Sequence, residues 1–262
     1  MLGTNRDRPF HSLGYKRMGS GVVKNLFRYC MQTQYEGKRS FDTLMKLIEK
    51  IPHCDSLLDV GCGDGIKTQL YANVLAVPLK KTYGIELKDE YINKVKDNLR
   101  IEKIDLEKDR FPFDDQEIHT VICNQVLEHL KNIFQSLREI DRITRLNGYV
   151  VIGIPNLAAL HNRLLMLLGR QPICNDICGP HVRSFTNRAF QTFLKENQNF
   201  ALLSVKGASI YPLPYPFVSI AAKYFPGLAA YTFYLLQKIK HDPRTCGWIA
   251  PQESDTCFRQ DS

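Results

Sequence analysis

The sequence contains no uninterrupted apolar run of the ~20 residues that a membrane-spanning helix needs. Its opening stretch, MLGTNRDRPFHSLGYKRMG, lacks the apolar h-region of a secretory signal peptide. Eight cysteines are too few and too scattered for a disulfide scaffold. Cys30, Cys54, Cys62, Cys123, Cys174, Cys178, Cys246 and Cys257 read as reduced thiols, so the expected setting is cytoplasmic. With 16 Gly and 13 Pro in 262 residues, a collagen-like or low-complexity chain is excluded. No repeat of fixed period is found, which excludes solenoids and propellers. What is present, 44% hydrophobic and 24% charged residues, excludes general disorder and suits one large domain with a core of its own.

The net charge of +8 is unevenly placed. Basic residues outnumber acidic ones 10 to 4 over residues 1–50 and 10 to 3 over 157–245. Between these flanks, over 51–156, the count is 14 to 17, and over the tail 246–262 it is 1 to 3. Basic flanks favour an anionic substrate, a phospholipid surface or nucleic acid, without choosing among them.

Residues 1–35 read as a basic N-terminal arm or cap. Ser40 opens a helical pattern in which Phe41, Leu44, Leu47, Ile48 and Ile51 share one face, and Pro52 ends it. From there to Pro155 short apolar strands (56–60, 82–85, 101–104, 120–123, 149–154) alternate with helices near 67–76, 89–99 and 132–144. That alternation predicts βαβ units, hence an α/β fold with a doubly wound, mainly parallel sheet covered by helices on both faces. A helix over 157–168, a Gly/Pro/Cys-rich loop, a helix over 186–196 and a strand over 200–205 follow. The expected organisation is a sheet domain over 36–206 with an insertion at about 157–186. An apolar segment follows over 207–240, then a polar, disordered tail over 241–262.

The most informative stretch is Leu57-Leu58-Asp59-Val60-Gly61-Cys62-Gly63-Asp64-Gly65, a buried strand running into a glycine-rich turn that opens a helix. Glycines let the backbone turn tightly and let a ligand lie against it without Cβ atoms. Two acidic strand ends follow in register, Glu86 and Asp105. In doubly wound sheets the carboxyl ends of the strands face one crevice, so these points share a cleft. A carboxylate after the second strand accepts from both ribose hydroxyls of an adenosine, and one after the third reaches the adenine amine. The dinucleotide fingerprint G-x-G-x-x-G is missing, because Ile66 stands where its third glycine belongs. Asp64 would repel a pyrophosphate at the helix N-terminus. A positively charged cofactor without phosphate fits better.

With these features the chain resembles the class I S-adenosylmethionine-dependent methyltransferases, from about Asp55 to Asn156 and less closely to Gly207. Phe111-Pro112-Phe113-Asp114-Asp115 resembles their segment ahead of the fourth strand, and Val151–Asn156 their fifth strand and its exit. Val121–Leu130 (VICNQVLEHL) is similar to the small-molecule branch that includes ubiquinone-type O-methyltransferases. His119 departs from the pattern, which has Asp before the fourth strand. The resemblance implies a Rossmann-like fold with a C-terminal substrate-cover insertion and S-adenosyl-L-methionine as cofactor. It implies a cofactor site of Asp59, Gly61, Cys62, Gly63, Gly65, Glu86 with Leu87, Asp105 with Leu106, and Asn124 with Gln125.

Glu128 and His129 invite a catalytic reading, with the His129 imidazole accepting the proton of an attacking hydroxyl. The other reading of His129 is a helix cap or a residue packed on the cofactor. His181-Val182-Arg183-Ser184-Phe185-Thr186 resembles an H-x-R-x-F-[ST] segment of the substrate cover, giving His181 and Arg183 as donors to an anionic or hydroxylated acceptor. Pairing of Arg183 with a surface carboxylate stands beside that reading, and Thr186 is read as a helix N-cap. Cys174-x-x-x-Cys178-x-x-His181 lacks a fourth nearby ligand, so no metal is expected. Residues 207–237 are aromatic and proline-punctuated: either a substrate cover, or a monotopic patch on an anionic bilayer with Lys223, Lys238 and Lys240 at the headgroups. The function expected from all this is methyl transfer to a hydroxyl of a small-molecule, lipid or quinone, or glycan-precursor acceptor. The alternatives are a membrane-peripheral binding protein that keeps the cofactor pocket, and an RNA methyltransferase. The last is weakened by the absence of an N/D-P-P-aromatic motif after the fourth strand, which makes nucleic acid an unexpected partner.

Overall fold

The computed structural model describes residues 33–94, 99–175, 177–211, 221–222 and 224–248. Most of the expected arm 1–35 and much of the 207–240 segment lie outside these residues. Seven strands form one sheet: β1 (Leu57–Val60), β2 (Thr82–Glu86), β3 (Arg100–Lys103), β4 (Ile118–Asn124), β5 (Thr144–Pro155), β6 (Phe200–Ala208) and β7 (Tyr231–Lys238). Their order is β3-β2-β1-β4-β5-β7-β6. The first five run parallel, and β7 enters antiparallel between β5 and β6. The sheet is therefore the expected doubly wound, mainly parallel one. The strand order reverses between β1 and β4, and in such sheets ligands bind at the carboxyl ends beside that switch point.

The helices are α1 (Thr33–Ile48), α2 (Ile66–Val74), α3 (Asp89–Ile92), α4 (Ile133–Ile143), α5 (Leu160–Leu167) and α6 (Asn187–Glu196). Alternate strand residues feed two cores, as the pleat requires. On one face Leu58, Val121, Ile152 and Tyr234 pack with Leu137 and Ile140 of α4 and Phe190 and Leu194 of α6. On the other, Leu57, Ile122, Val151 and Phe233 pack with Leu44, Leu47 and Ile48 of α1 and Tyr71 and Ala72 of α2. The caps are local. Asn132 Oδ1 accepts from Phe134 N at 3.2 Å and opens α4, and Thr186 Oγ1 accepts from Ala189 N at 3.3 Å, the predicted cap of α6.

Three expectations are corrected here. Helix α1 begins at Thr33, ahead of the predicted Ser40. The 207–240 segment is not one cover or bilayer patch, because Tyr231–Lys238 is an interior strand whose Phe233 and Tyr234 are fully buried. Lys238, assigned above to headgroups, is itself fully buried against Asp141 at 3.1 Å. Residues 241–248 of the expected tail are ordered, ending in Trp248, whose indole is buried and stacked on Phe200 with ring centroids 5.2 Å apart. Among the described residues no helix is long and apolar enough to cross a membrane.

Candidate functional site

The turn after β1 is built as its glycines require. Gly61, Gly63 and Gly65 all have positive φ (74°, 56° and 73°), a region that side chains with a Cβ rarely adopt. Gly61 N and Cys62 N donate to Ile85 O at 2.8 and 3.0 Å, which holds the turn against β2. A Cβ on Gly61 would come within 2.5 Å of Val126, whereas space above Gly63 is open. Cys62 is buried, its thiol pKa pushed up by burial, and it packs where Gly84 leaves room: a Cβ there would lie 2.6 Å from its Sγ.

Asp59 is buried, and its Oδ2 accepts from Thr68 Oγ1 at 2.5 Å, tying β1 to α2. Burial pushes its carboxyl pKa up to about 7, with the Thr68 hydrogen bond opposing. Glu86, at the end of β2, reaches back to the turn. Its Oε2 accepts from Gly63 N at 3.0 Å, and its Oε1 accepts from Leu87 N and Lys88 N at 2.9 and 3.0 Å. Leu87 is half exposed beside it. Asp105, beyond the end of β3, accepts from Glu107 N at 3.0 Å and pairs with Lys108 at 3.2 Å, contacts that hold its pKa below the ordinary value. Leu106 is buried behind it.

At the end of β4, Asn124 Oδ1, Gln125 Nε2 and Glu128 Oε2 are buried without a hydrogen-bond partner among the described residues. Gln125 holds φ +57°, a strained value for a residue with a side chain. Gly153 makes room for Asn124, since a Cβ there would lie 2.2 Å from Asn124 Oδ1. Buried polar atoms left unpaired are costly, so three of them within five residues at the end of β4 are candidates for contact with a ligand. Val126, which packs on Gly61, joins the cluster to the turn. An open glycine turn, an acidic residue at the next strand end and orphaned amides fit an adenosine-bearing cofactor without phosphate.

A 3₁₀ turn at Leu127–His129 brings Glu128 and His129 under the insertion. Glu128 is 1% exposed, and burial lifts its carboxyl pKa to about 7. His129 is partly exposed, with Nε2 4.0 Å from Glu128 Oε1, and burial lowers its pKa. The insertion is stitched on here: Val182 N and Arg183 N donate to Glu128 O at 2.9 and 3.1 Å. His181 thereby stands against His129, ring centroids 4.8 Å apart. Among the described residues Arg183 pairs with no carboxylate; its Nε and Nη2 donate to Lys131 O at 2.9 and 2.5 Å, and the guanidinium lies over Phe134. It pins the segment, and His181 is the residue that faces the cluster. Cys174 contributes through its backbone carbonyl, and its thiol accepts from Asn162 at 3.3 Å. The sequence reading missed the His161–Tyr211 pair, with ring centroids 5.3 Å apart and both His161 Nδ1 and the Tyr211 hydroxyl buried without a partner among the described residues. No local motif marks two residues so far apart in the chain.

Residues 58–152 match the family model described as a methyltransferase domain. An uncharacterized methyltransferase of Schizosaccharomyces pombe is 31% identical over 117 residues, which are 40% of this chain and 41% of that one. A protein of Mycobacterium tuberculosis described as a probable S-adenosylmethionine-dependent methyltransferase is 28% identical over 111 residues, 40% and 38% of the two chains. The chain thus spans about two fifths of the length of these curated relatives. Among solved structures, a SAM-dependent methyltransferase from Archaeoglobus fulgidus superposes with a TM-score of 0.54 at 14% identity, covering 84% of this chain and all of that one. The 4+2 cyclase SpnF superposes with a TM-score of 0.53 at 16% identity, covering 75% and 81%. These structural likenesses establish the fold, and the cyclase is a reminder that chemistry resides in the site. Sequence match, topology and glycine turn agree on the class. That class is a methyltransferase domain of Rossmann-like fold, matched over residues 58–152.

Proposed function

We propose that the whole chain transfers a methyl group to a hydroxyl of a small-molecule, lipid or quinone, or glycan-precursor acceptor. When bound, S-adenosylmethionine supplies a sulfonium-activated methyl group for in-line displacement. The chain's residues then have separate tasks. Gly61, Gly63 and Gly65 give the cofactor a backbone surface, Glu86 takes the ribose hydroxyls and Asp105 the adenine amine. Asn124 and Gln125 offer a carbonyl oxygen and an amide donor that nothing else among the described residues satisfies. His129, half shielded and with its pKa lowered by burial, is the residue placed to accept a hydroxyl proton. His181 stands opposite as a contact for the acceptor. Much of the acceleration would come from alignment in a site shielded from water, since the methyl group is already activated.

The observation that carries the reading is the line of orphaned buried polar atoms on Asn124, Gln125 and Glu128 beside the glycine turn. The O-methyl assignment is supported further by a carboxyl and two imidazoles facing the acceptor side. The deciding experiment incubates the protein with methyl-labelled S-adenosylmethionine and cell extract. Base-stable label in a lipid or small-molecule fraction is expected. Label confined to RNA or protein overturns the acceptor class, and no label anywhere overturns the transferase reading in favour of a binding protein.

A further inference from the structure

Glu128, His129 and His181 each offer a ligand atom, and these atoms all lie within 4.8 Å of one another. Two histidine nitrogens and a carboxylate oxygen are a common donor set for divalent transition metals, with further positions left open. Proximity alone would mean little, but each residue is also prepared. His129 Nδ1 lies 3.3 Å from Pro180 O, and His181 Nδ1 lies 2.7 Å from Cys174 O. A carbonyl only accepts, so in both rings Nδ1 is the donor and Nε2 is the nitrogen left to meet a ligand. Backbone carbonyls in this position are the usual outer support of metal-bound histidines. Glu128 is 1% exposed, and its Oε2 has no partner among the described residues. The same peptide group that carries this carboxylate accepts from Val182 and Arg183, so the turn and the insertion are locked together at the cluster.

We propose that Glu128, His129 and His181 bind one divalent transition-metal ion, of which Zn²⁺ is the default, at the acceptor side of the site. The Cys174–Cys178–His181 triad considered from the sequence is not this site: His181 is shared, but neither cysteine belongs to the cluster. The ion's role rests on the proposed methyl transfer. An acceptor hydroxyl on an open position loses its proton to water near neutral pH, and its oxygen keeps the electron pair for attack on the methyl carbon. In that state His129 is a ligand, and the metal ion takes over the work of deprotonation.

The test uses the full chain stripped with chelator. Zn²⁺ is titrated by calorimetry and Co²⁺ by its visible ligand-field absorption, and S-adenosylmethionine is titrated on the same samples. One ion per chain is expected, with affinity reduced at least ~10-fold in His181→Ala and in the near-isosteric Glu128→Gln. His53→Ala, distant from the cluster, should leave it unchanged. Unaltered S-adenosylmethionine binding certifies that the variants are folded. Absence of saturable metal binding to the wild type overturns the proposal, as does metal binding that both variants leave intact. Metal binding that persists while S-adenosylmethionine fails to bind would instead remove the cofactor assignment and leave the metal site standing.

Discussion

At the scale of the residue, the proposed cofactor site depends most on Glu86. Its carboxylate accepts from three backbone N–H groups, one on the glycine turn and two at the exit of β2. Glu86→Ala removes both the proposed ribose acceptor and the tie that holds Gly63. Binding of S-adenosylmethionine, measured by calorimetry, should weaken by about 1.5–3 kcal/mol, the usual worth of hydrogen bonds to charged groups. NAD should give no measurable heat, and tighter binding of NAD than of S-adenosylmethionine would refute the cofactor assignment. Asp59 gives a prediction of a different kind. Its folded pKa of about 7 lies above the ~3.9 of an unfolded Asp, so the folded chain holds this proton longer. The neutral carboxyl's contribution is complete below about pH 4 and is lost as pH rises through 7. Wild-type stability should therefore fall relative to Asp59→Asn across that window, by at most about 1.4 kcal/mol per pH unit. Urea unfolding of both proteins from pH 4 to 8 measures it, and a difference that does not change with pH would count against it.

At the scale of the element, β7 deserves the closest test, because the sequence disguised it. Lys238 ends the strand in a fully buried position, paired with Asp141 at 3.1 Å. The Asp141 carboxylate also accepts from Asn197 and Asn199 at 3.0 and 2.9 Å. Lys238→Ala strands a buried carboxylate and should cost about 3–5 kcal/mol of unfolding free energy. Lys240, paired with Asp242 at the surface, should cost less than about 1 kcal/mol when changed to Ala. Equal costs would show that Lys238 is solvated, as the bilayer reading supposed. The element was hidden for physical reasons. A central strand covered on both faces shows no alternation of apolar and polar residues. Here Tyr231 to Leu236 runs on from an apolar, proline-broken segment, and the closing lysine looks like a surface charge. By contrast β1, β2, β4 and β5 were legible because each apolar run is punctuated by a turn and followed by a helix. The glycine turn, Glu86 and Asp105 were legible for a related reason, since strand ends in a parallel sheet all point to one edge. The meeting of His129 with His181 was not, because it depends on how the insertion folds back over the 3₁₀ turn.

At the scale of the whole molecule, the two faces of the sheet are closed differently. One is covered by α1 and α2, both supplied by the first third of the chain. The other is covered by α4 and α6 and sealed by residues 241–248, which the polar sequence marked as tail. Trp248 is fully buried there, stacked on Phe200 and lying 6.5 Å from the Phe193 ring of α6. Thr245 donates to Asn199 at 2.7 Å, and Asn199 is bound in turn to Asp141, so the closing segment joins the same buried network that holds Lys238. One tryptophan thus ties the C-terminal segment to α6, β6 and β7 together. Trp248→Ala should lower the unfolding free energy by about 3–5 kcal/mol, the cost of emptying a large aromatic site. Trp248→Phe, which keeps the stack on Phe200, should recover part of that loss. Ending the chain at residue 240 should destabilise at least as much as Trp248→Ala, because it also removes Thr245 and the Asp242 contacts. Denaturant unfolding followed by far-ultraviolet circular dichroism reads all three variants without relying on the tryptophan as a probe. If the shortened chain unfolds at the wild-type midpoint, the segment beyond residue 240 is a dispensable tail after all.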